Sequence, residues 1–434
     1  MPLKKKFPGT PVTRNYHQDF ISNLPQSLRV TILNYLPLRD AVKTSVLSSE
    51  WRYMWTKVPH LCFDELILEF PSGGDQLEFQ NKCVRQILRV LLQHEGPITT
   101  FVLAIPELEF FPEMESLMFF LAKSDVEDLT LEFEPGHNKL PSTFFKCQRL
   151  KAISLLSCLV HPPSDFIGFS QLLTILMLDV AIGSEQLQSF VACCPLLKSL
   201  HLRISSVYEA LEIQASKLEN FEFHSKLKSV SFKNTPLLKE VVIINHSDIE
   251  VEEKNALHGK SNLIEFFRSI PSLSVLHIDT HFIQFLAANG VLKRPSLTAV
   301  HLNTLILEGI CLEKTEEMTC VLLMVRISPN LQCIMIRLCN CTGVAGQNPS
   351  LDSLDVEEFS DVKLDQLKRV ELKYFTGTRN QMALAKLLLI KSPRLRKMII
   401  KPHAKSCDEK QGFRILKKLI RLHRSSAAAK IIYG

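Results

Sequence analysis

Between Leu24 and Trp55 the apolar residues recur at helical intervals. Leu28, Ile32, Leu33 and Leu36 share one face of a helix that begins at Leu24-Pro25, with the proline in its first turn, and that Pro37 stops. Asp40 is suited to cap a second helix in which Ala41, Val42, Ser45 and Val46 lie on one face. Ser48-Ser49 predicts the cap of a third, short helix carrying Trp51 and Trp55 one turn apart. A three-helix unit of this size buries too little to be stable without further packing.

Downstream the period changes to L-x-x-L-x-L, with Val, Ile, Phe or Met allowed at the apolar places. It recurs at Ile98-x-x-Phe101-x-Leu103, Val126-x-x-Leu129-x-Leu131, Leu150-x-x-Ile153-x-Leu155, Leu173-x-x-Leu176-x-Leu178 and Leu197-x-x-Leu200-x-Leu202. Further matches start at Leu218, Leu227, Leu238, Leu273, Leu297, Leu331, Leu367 and Leu395. Most spacings suit a strand followed by a return helix or loop, the signature of a leucine-rich-repeat solenoid. The short steps Leu218 to Leu227 to Leu238 fit bare strands with tight returns, or one false match. Cys194-Pro195, Ile270-Pro271, Ser328-Pro329 and Ser392-Pro393 mark turns into the next strand. Cys158 and Cys339 fall three residues past the last strand apolar, where a small side chain turns inward.

The chain has 434 residues, 46% of them hydrophobic and 22% charged, enough to bury a sizeable core. No apolar run approaches the roughly 18 residues of a membrane span. The start, Met1-Pro-Leu-Lys-Lys-Lys, has charge but no apolar stretch behind it, so no secretory signal is expected. The expected location is cytoplasmic and/or nuclear, with Lys4-Lys5-Lys6 a weak import motif. Twelve cysteines scattered in such a chain read as reduced thiols, and the sequons at Asn245 and Asn340 as chance matches. Residues 1–18 read as a disordered tail. The net charge of +6 conceals an asymmetry: from Lys363 onward there are 19 Lys/Arg against 4 Asp/Glu. A basic end can meet an acidic protein or simply be solvated; nucleic acid is not an expected partner. Within it a helix is predicted at 382–390 and another at 411–424, the latter with Phe413, Leu416, Leu419 and Ile420 inward.

No enzyme signature survives inspection. Gly259-Lys260-Ser261 lacks the glycine that a phosphate-binding loop needs five residues earlier, where Lys254 stands. His94-Glu95 lacks the second histidine of a zinc-protease helix. Cys311, Cys320, Cys333, Cys339 and Cys341 lack paired metal-ligand spacing. His201, His277 and His301 fall in repeat strands and read as outward-pointing. No catalytic, metal or cofactor site is expected.

The segment from Leu24-Pro25 through Asp40-Ala41-Val42, Thr44-Ser-Val-Leu-Ser48 and Trp51-Arg52 to Trp55 resembles an F-box in its plant form. Residues from about 367 to 433 look like the FBD module that follows leucine-rich repeats in many plant F-box proteins. The chain thus resembles a plant F-box/FBD/LRR-repeat protein. The resemblance implies an α/β fold: a three-helix F-box at 19–64, a repeat solenoid at 65–362 with a curved parallel sheet and return helices or loops, and an FBD cap at 363–434. It also implies a substrate-recognition subunit of a Skp–cullin–F-box ubiquitin ligase. The F-box would dock a Skp-type adaptor, and through it cullin and RING subunits, while the repeats hold an unidentified protein substrate. The alternative is a repeat scaffold without a degradation role. Leu24, Pro25, Leu28, Ile32, Leu36, Pro37, Val42, Val46, Trp51 and Trp55 are the adaptor-contact candidates, with the tryptophans open between contact and fold core. Glu50 departs from the Lys or Arg common before the first Trp, and an exposed helical position is expected for it. The repeats are too few to carry over a small-molecule or inositol-phosphate cofactor.

Overall fold

The computed structural model describes residues 21, 24–64, 75–136, 138–245, 263–287, 297–339, 361–403 and 409–434. The tail at 1–18, the tripeptide at 259–261, residues 246–247 of one sequon and all of 340–342 lie outside the described residues. The chain forms two compact units that divide between Val102 and Leu103.

In the first unit, α1 (Gln26–Leu33) and α2 (Leu38–Lys43) are followed by 3-10 turns at Thr44–Val46 and Met54–Lys57, then β1 (His60–Asp64) and α3 (Gln76–Gln93). Pro25 and Pro37 take nearly the same conformation, φ −51° and −52° with ψ 144°, each at a helix N-cap. Their carbonyls accept the first intrahelical bonds, Pro25 from Leu28 and Arg29, Pro37 from Asp40 and Ala41. Proline thus stands one place before the first turn expected for Pro25. Asp40 is inside α2, paired with Lys43 at 2.7 Å, instead of capping it. The expected third helix is a run of turns ending in the Met54–Lys57 3-10 turn, on which α1 packs. Leu33, Leu38, Ala41, Trp51 and Trp55 are buried. Behind them the Thr56 carbonyl accepts from the Glu95 and Gly96 amides at 2.9 and 3.1 Å. Only glycine permits that approach, because a Cβ at position 96 would lie 2.9 Å from Lys57 Cα. The boundary between units crosses β2 (Thr100–Ala104), whose Phe101 ring meets Phe63 of β1 at 5.6 Å.

The second unit contains α4 (Met114–Lys123), β3 (Asp128–Glu132), β4 (Ala152–Leu156), β5 (Thr174–Val180), α5 (Ser184–Ala192), β6 (Ser199–Ile204), β7 (Leu211–Gln214), β8 (Asn220–His224), β9 (Val230–Lys233) and β10 (Glu240–Ile244). It continues with α6 (Leu263–Ser269), β11 (Val275–Asp279), α7 (Thr280–Ala287), β12 (Thr304–Ile310), α8 (Thr315–Ile327), β13 (Cys333–Leu338), β14 (Arg369–Phe375), α9 (Arg379–Lys391), β15 (Lys397–Pro402), α10 (Glu409–Ile420) and β16 (Lys430–Tyr433). From β3 to β16 the strands lie in chain order in one parallel sheet, except that β7 and β9 form a separate parallel pair. One inward row is in register throughout: Leu129, Ile153, Ile175, Leu200, Phe221, Val241, Leu276, Leu305, Ile334, Val370 and Met398 are buried, and all but Ile175 and Leu305 are the central residues of the expected templates. Every coil contributes the same inward side chain, so the core is continuous although each repeat is too small to fold alone.

Three repeat assignments change. The match beginning at Leu173 is displaced by one residue: Leu173, Leu176 and Leu178 are only half-buried, and the strand buries Leu172-x-x-Ile175-x-Met177. The ten-residue steps around Leu227 arise because β9 pairs with β7, on a second parallel ladder, while β6, β8 and β10 stay adjacent in the main sheet. The match beginning at Leu297 is displaced: Val300 is exposed, His301 lies in a turn, and the strand uses Leu302-x-x-Leu305-x-Leu307. The proline turns are as expected, with the amide of Leu331 bonded to the Ser328 carbonyl and that of Leu395 to the Ser392 carbonyl. Positive φ at Asp179, Gly309 and Tyr374 coincides with register shifts in β5, β12 and β14, the mark of β-bulges. Helix α10 turns Ile415 and Leu419 inward and leaves Phe413 and Ile420 exposed, correcting the expected face. Gly377, at φ 76°, is what lets Ile415 in: a Cβ there would stand 2.6 Å from Ile415 Cγ1.

Candidate docking surfaces

The first surface belongs to the first unit. Of the residues expected at an adaptor contact, Leu28, Ile32, Leu36 and Val46 are exposed, Val46 at 87%. Pro25 and Pro37 are also exposed, and Leu24 and Val42 half-buried. Trp51 and Trp55 are buried in the unit and so belong to its core, not to the surface it offers. Leu33, assigned to the same helical face as Leu28 and Ile32, is fully buried. The helix points Arg29 and Leu33 inward and Leu28, Ile32 and Leu36 outward. Tyr35, Leu47 and Tyr53, exposed at 85%, 67% and 63%, enlarge this apolar surface. Tyr35 lies seven residues from Leu28, on the same stripe, and that spacing could have found it. Exposed apolar patches of this kind are common where one protein docks another.

Arg29 faces inward because it has a partner there. Its Nη1 donates to the Glu50 carbonyl at 3.0 Å and lies 3.3 Å from Glu50 Oε2. Glu50 is exposed, as expected, but lies in a turn instead of a helix.

The second surface is the face of the main sheet opposite the leucine row. Strand alternation turns every second residue to it. Near its middle, His201 and Glu222 occupy matched positions on β6 and β8. His201 Nδ1 lies 2.8 Å from Glu222 Oε2, and His224 Nε2 bonds the other carboxylate oxygen. Burial would raise the Glu222 pKa, but these two histidine contacts outweigh it and hold the carboxyl below the usual range. Beside them the bulge at Asp179 aims its carboxylate at Arg203, which binds both oxygens at 3.0 and 2.7 Å. Arg203, His201, Glu222 and His224, with Leu176 and Leu178, line an open recess of about 220 Å³. His201 does point outward; its pairing with Glu222 could have been found by aligning the two templates. His277 also faces outward on β11 and lies 3.5 Å from Glu308.

Among the described residues no three His, Cys, Asp or Glu side chains converge as metal ligands. The described cysteines carry free thiols, and burial pushes those of Cys147, Cys158 and Cys320 up to about 12. Among the described residues no helix is long and apolar enough to cross a membrane.

A helical unit with an exposed apolar surface, followed in the chain by a parallel repeat sheet, is the arrangement of the F-box and leucine-rich-repeat class. A model of the F-box domain matches residues 21–63, and one described as FBD-associated F-box protein At5g56370, LRR repeats, matches residues 114–257. The chain is 31% identical over 419 residues to F-box/FBD/LRR-repeat protein At1g13570 of Arabidopsis thaliana, covering 96% of this chain and 98% of that one. It is 27% identical to putative FBD-associated F-box protein At1g55030 of Arabidopsis thaliana, over 88% of this chain and 90% of the relative. It belongs to the F-box/FBD/LRR-repeat family. F-box domains generally bind Skp-type adaptors, and proteins of this family are generally non-catalytic.

Proposed function

We propose that this chain is the substrate-recognition subunit of a Skp–cullin–F-box ubiquitin ligase. The observation that carries the reading is the exposed apolar surface of the first unit. Covering each large apolar side chain stabilises an interface by roughly 1.5–3 kcal/mol, and Leu28, Ile32, Leu36 and Val46 stand ready to be covered. Leu24, Pro25, Pro37 and Val42 complete the docking set, with the prolines fixing where each helix starts. The sheet face of the second unit then presents a protein substrate to the ubiquitin-charged subunits. Transfer is accelerated by proximity, which needs no catalytic residue in this chain. The segments that would do this are an F-box at 19–64, repeats at 65–362 and an FBD module at 363–434, working in the cytoplasm, the nucleus or both.

The test is capture of the full chain by a plant Skp-type adaptor. Wild type is expected to be retained, and Ile32→Asp/Leu36→Asp to be lost with its circular dichroism unchanged. Folded wild-type protein that is not retained would overturn the ligase reading and leave the repeat scaffold. Proximity labelling under proteasome inhibition, compared between wild type and that variant, would then identify the substrate.

A further inference from the structure

We propose that the sheet face of the last four strands, β13–β16, docks an acidic segment of the partner protein, one whose carboxylates alternate with apolar side chains. This rests on the sheet face being the substrate-presenting surface.

Strand register builds the site. Arg369, Lys397 and Lys430 are mutual register partners on β14, β15 and β16, forming one row of cations. Four residues along, Arg337, Lys373 and Lys401 are register partners on β13, β14 and β15, forming a second. At the rise of a strand the rows run roughly 13 Å apart, with about 4.8 Å between neighbours in a row. Between them lies a middle row of Met335, Glu371, Ile399 and Ile432, in which Ile432 is 42% exposed.

Four of the six cations are held in place. Glu371, its side chain only 5% exposed, lies 2.8 Å from Arg369, 3.1 Å from Lys401 and 3.9 Å from Lys373, so one buried carboxylate braces both rows. Glu308 holds Arg337 at 2.9 Å. Six cations against two carboxylates leave a strong positive excess, with Arg337, Arg369 and Lys401 each about half exposed. At the other end of the same face β3 presents Asp128 and Glu132, so the two ends differ in charge. An extended partner segment lying along β14–β16 can set carboxylates four residues apart against the two rows and the apolar side chain midway between them against Ile399 or Ile432. A nucleic-acid strand would gain from the cations but not from the isoleucines, which offer no stacking platform.

The test measures fluorescence anisotropy of the full chain with a labelled peptide in which glutamate and leucine alternate at every second residue, with serine between them, so that both fall on one face of an extended chain. Binding is expected to weaken several-fold between 50 and 300 mM salt. A glutamine-for-glutamate peptide should bind at least tenfold more weakly. Lys397→Glu/Lys430→Glu should lose at least tenfold, whereas Lys417→Glu/Lys418→Glu, the same charge change on α10, should bind as wild type does. If the double glutamate variant does not fold, Lys397→Gln/Lys430→Gln replaces it, with a several-fold loss expected. Equal binding of both peptides, an unaffected row variant, or tighter binding of a single-stranded oligonucleotide would overturn the proposal. Adaptor capture on the same preparation separates the two readings. Protein that holds adaptor but not the acidic peptide overturns this inference alone, and loss of adaptor overturns the ligase reading alone.

Discussion

Arg29 and Glu50 are joined twice, through the backbone carbonyl of Glu50 at 3.0 Å and its carboxylate at 3.3 Å, so α1 is tied to a turn 21 residues away. Arg29 is nearly buried and would otherwise be a desolvated cation inside the first unit. Glu50→Gln keeps the carbonyl bond and should cost less than about 1 kcal/mol. Glu50→Lys sets two cations together and should cost about 1–2 kcal/mol. Hydrogen exchange of the α1 amides reads both losses. Unchanged protection in Glu50→Lys would show that the carbonyl alone suffices.

Ile32 and Leu33 are sequence neighbours with opposite surroundings, 42% and 0% exposed. Leu33→Ala should destabilise the first unit by about 2–5 kcal/mol through the cavity it leaves. Ile32→Ala should change stability by less than about 0.5 kcal/mol while weakening adaptor capture severalfold. Thermal unfolding and capture, measured on both variants, check the contrast. Equal effects on stability would mean that the outward stripe is part of the fold.

Ser328 and Ser392 occupy the same turn before a strand, and each has a buried Oγ without a hydrogen-bond partner among the described residues. At the matching place Cys194 directs its Sγ to the Phe190 carbonyl at 3.2 Å. An unsatisfied hydroxyl opposes folding. Ser392→Ala should therefore stabilise the protein by about 1 kcal/mol, seen as a higher melting temperature. A lower one would reveal that the hydroxyl has a partner in solution.

Glu371 should dominate part of the acid sensitivity of the basic end. The Arg369 hydrogen bond, reinforced by Lys401 and Lys373, holds its carboxyl below the ordinary 4.5. The unfolded chain binds that proton more readily, so the contribution is present above the ordinary value and is lost as pH falls through the folded one. Urea midpoints measured from neutral pH downward should fall more steeply for wild type than for Glu371→Gln below pH 4.5. Parallel curves would assign the acid loss to other carboxylates.

What the sequence alone determined is the repeat. Two-residue alternation in a strand sets the central template apolars on one side, and the row from Leu129 to Met398 follows from that except in β5 and β12, where the template is displaced and Ile175 and Leu305 take the place. The F-box motif was equally legible, because its prolines and tryptophans are local features. Tertiary structure decided whatever periodicity leaves degenerate. Templates starting at Leu297 and at Leu302 both satisfy the pattern, and only pairing with Leu276 and Ile334 selects Leu305. In α1 either Leu28 or Arg29 could begin the inner face, and the Glu50 carbonyl, remote in sequence, draws Arg29 in. In α10 the absence of a Cβ at Gly377 admits Ile415 and so turns Phe413 outward. The cation rows have the same origin: Lys397 and Lys401 are visible four apart on one strand, but register alone sets them beside Arg369, Lys373 and Lys430. Local alternation groups the residues that share one side of a strand; only the packing of distant segments fixes which group turns inward and what the other meets.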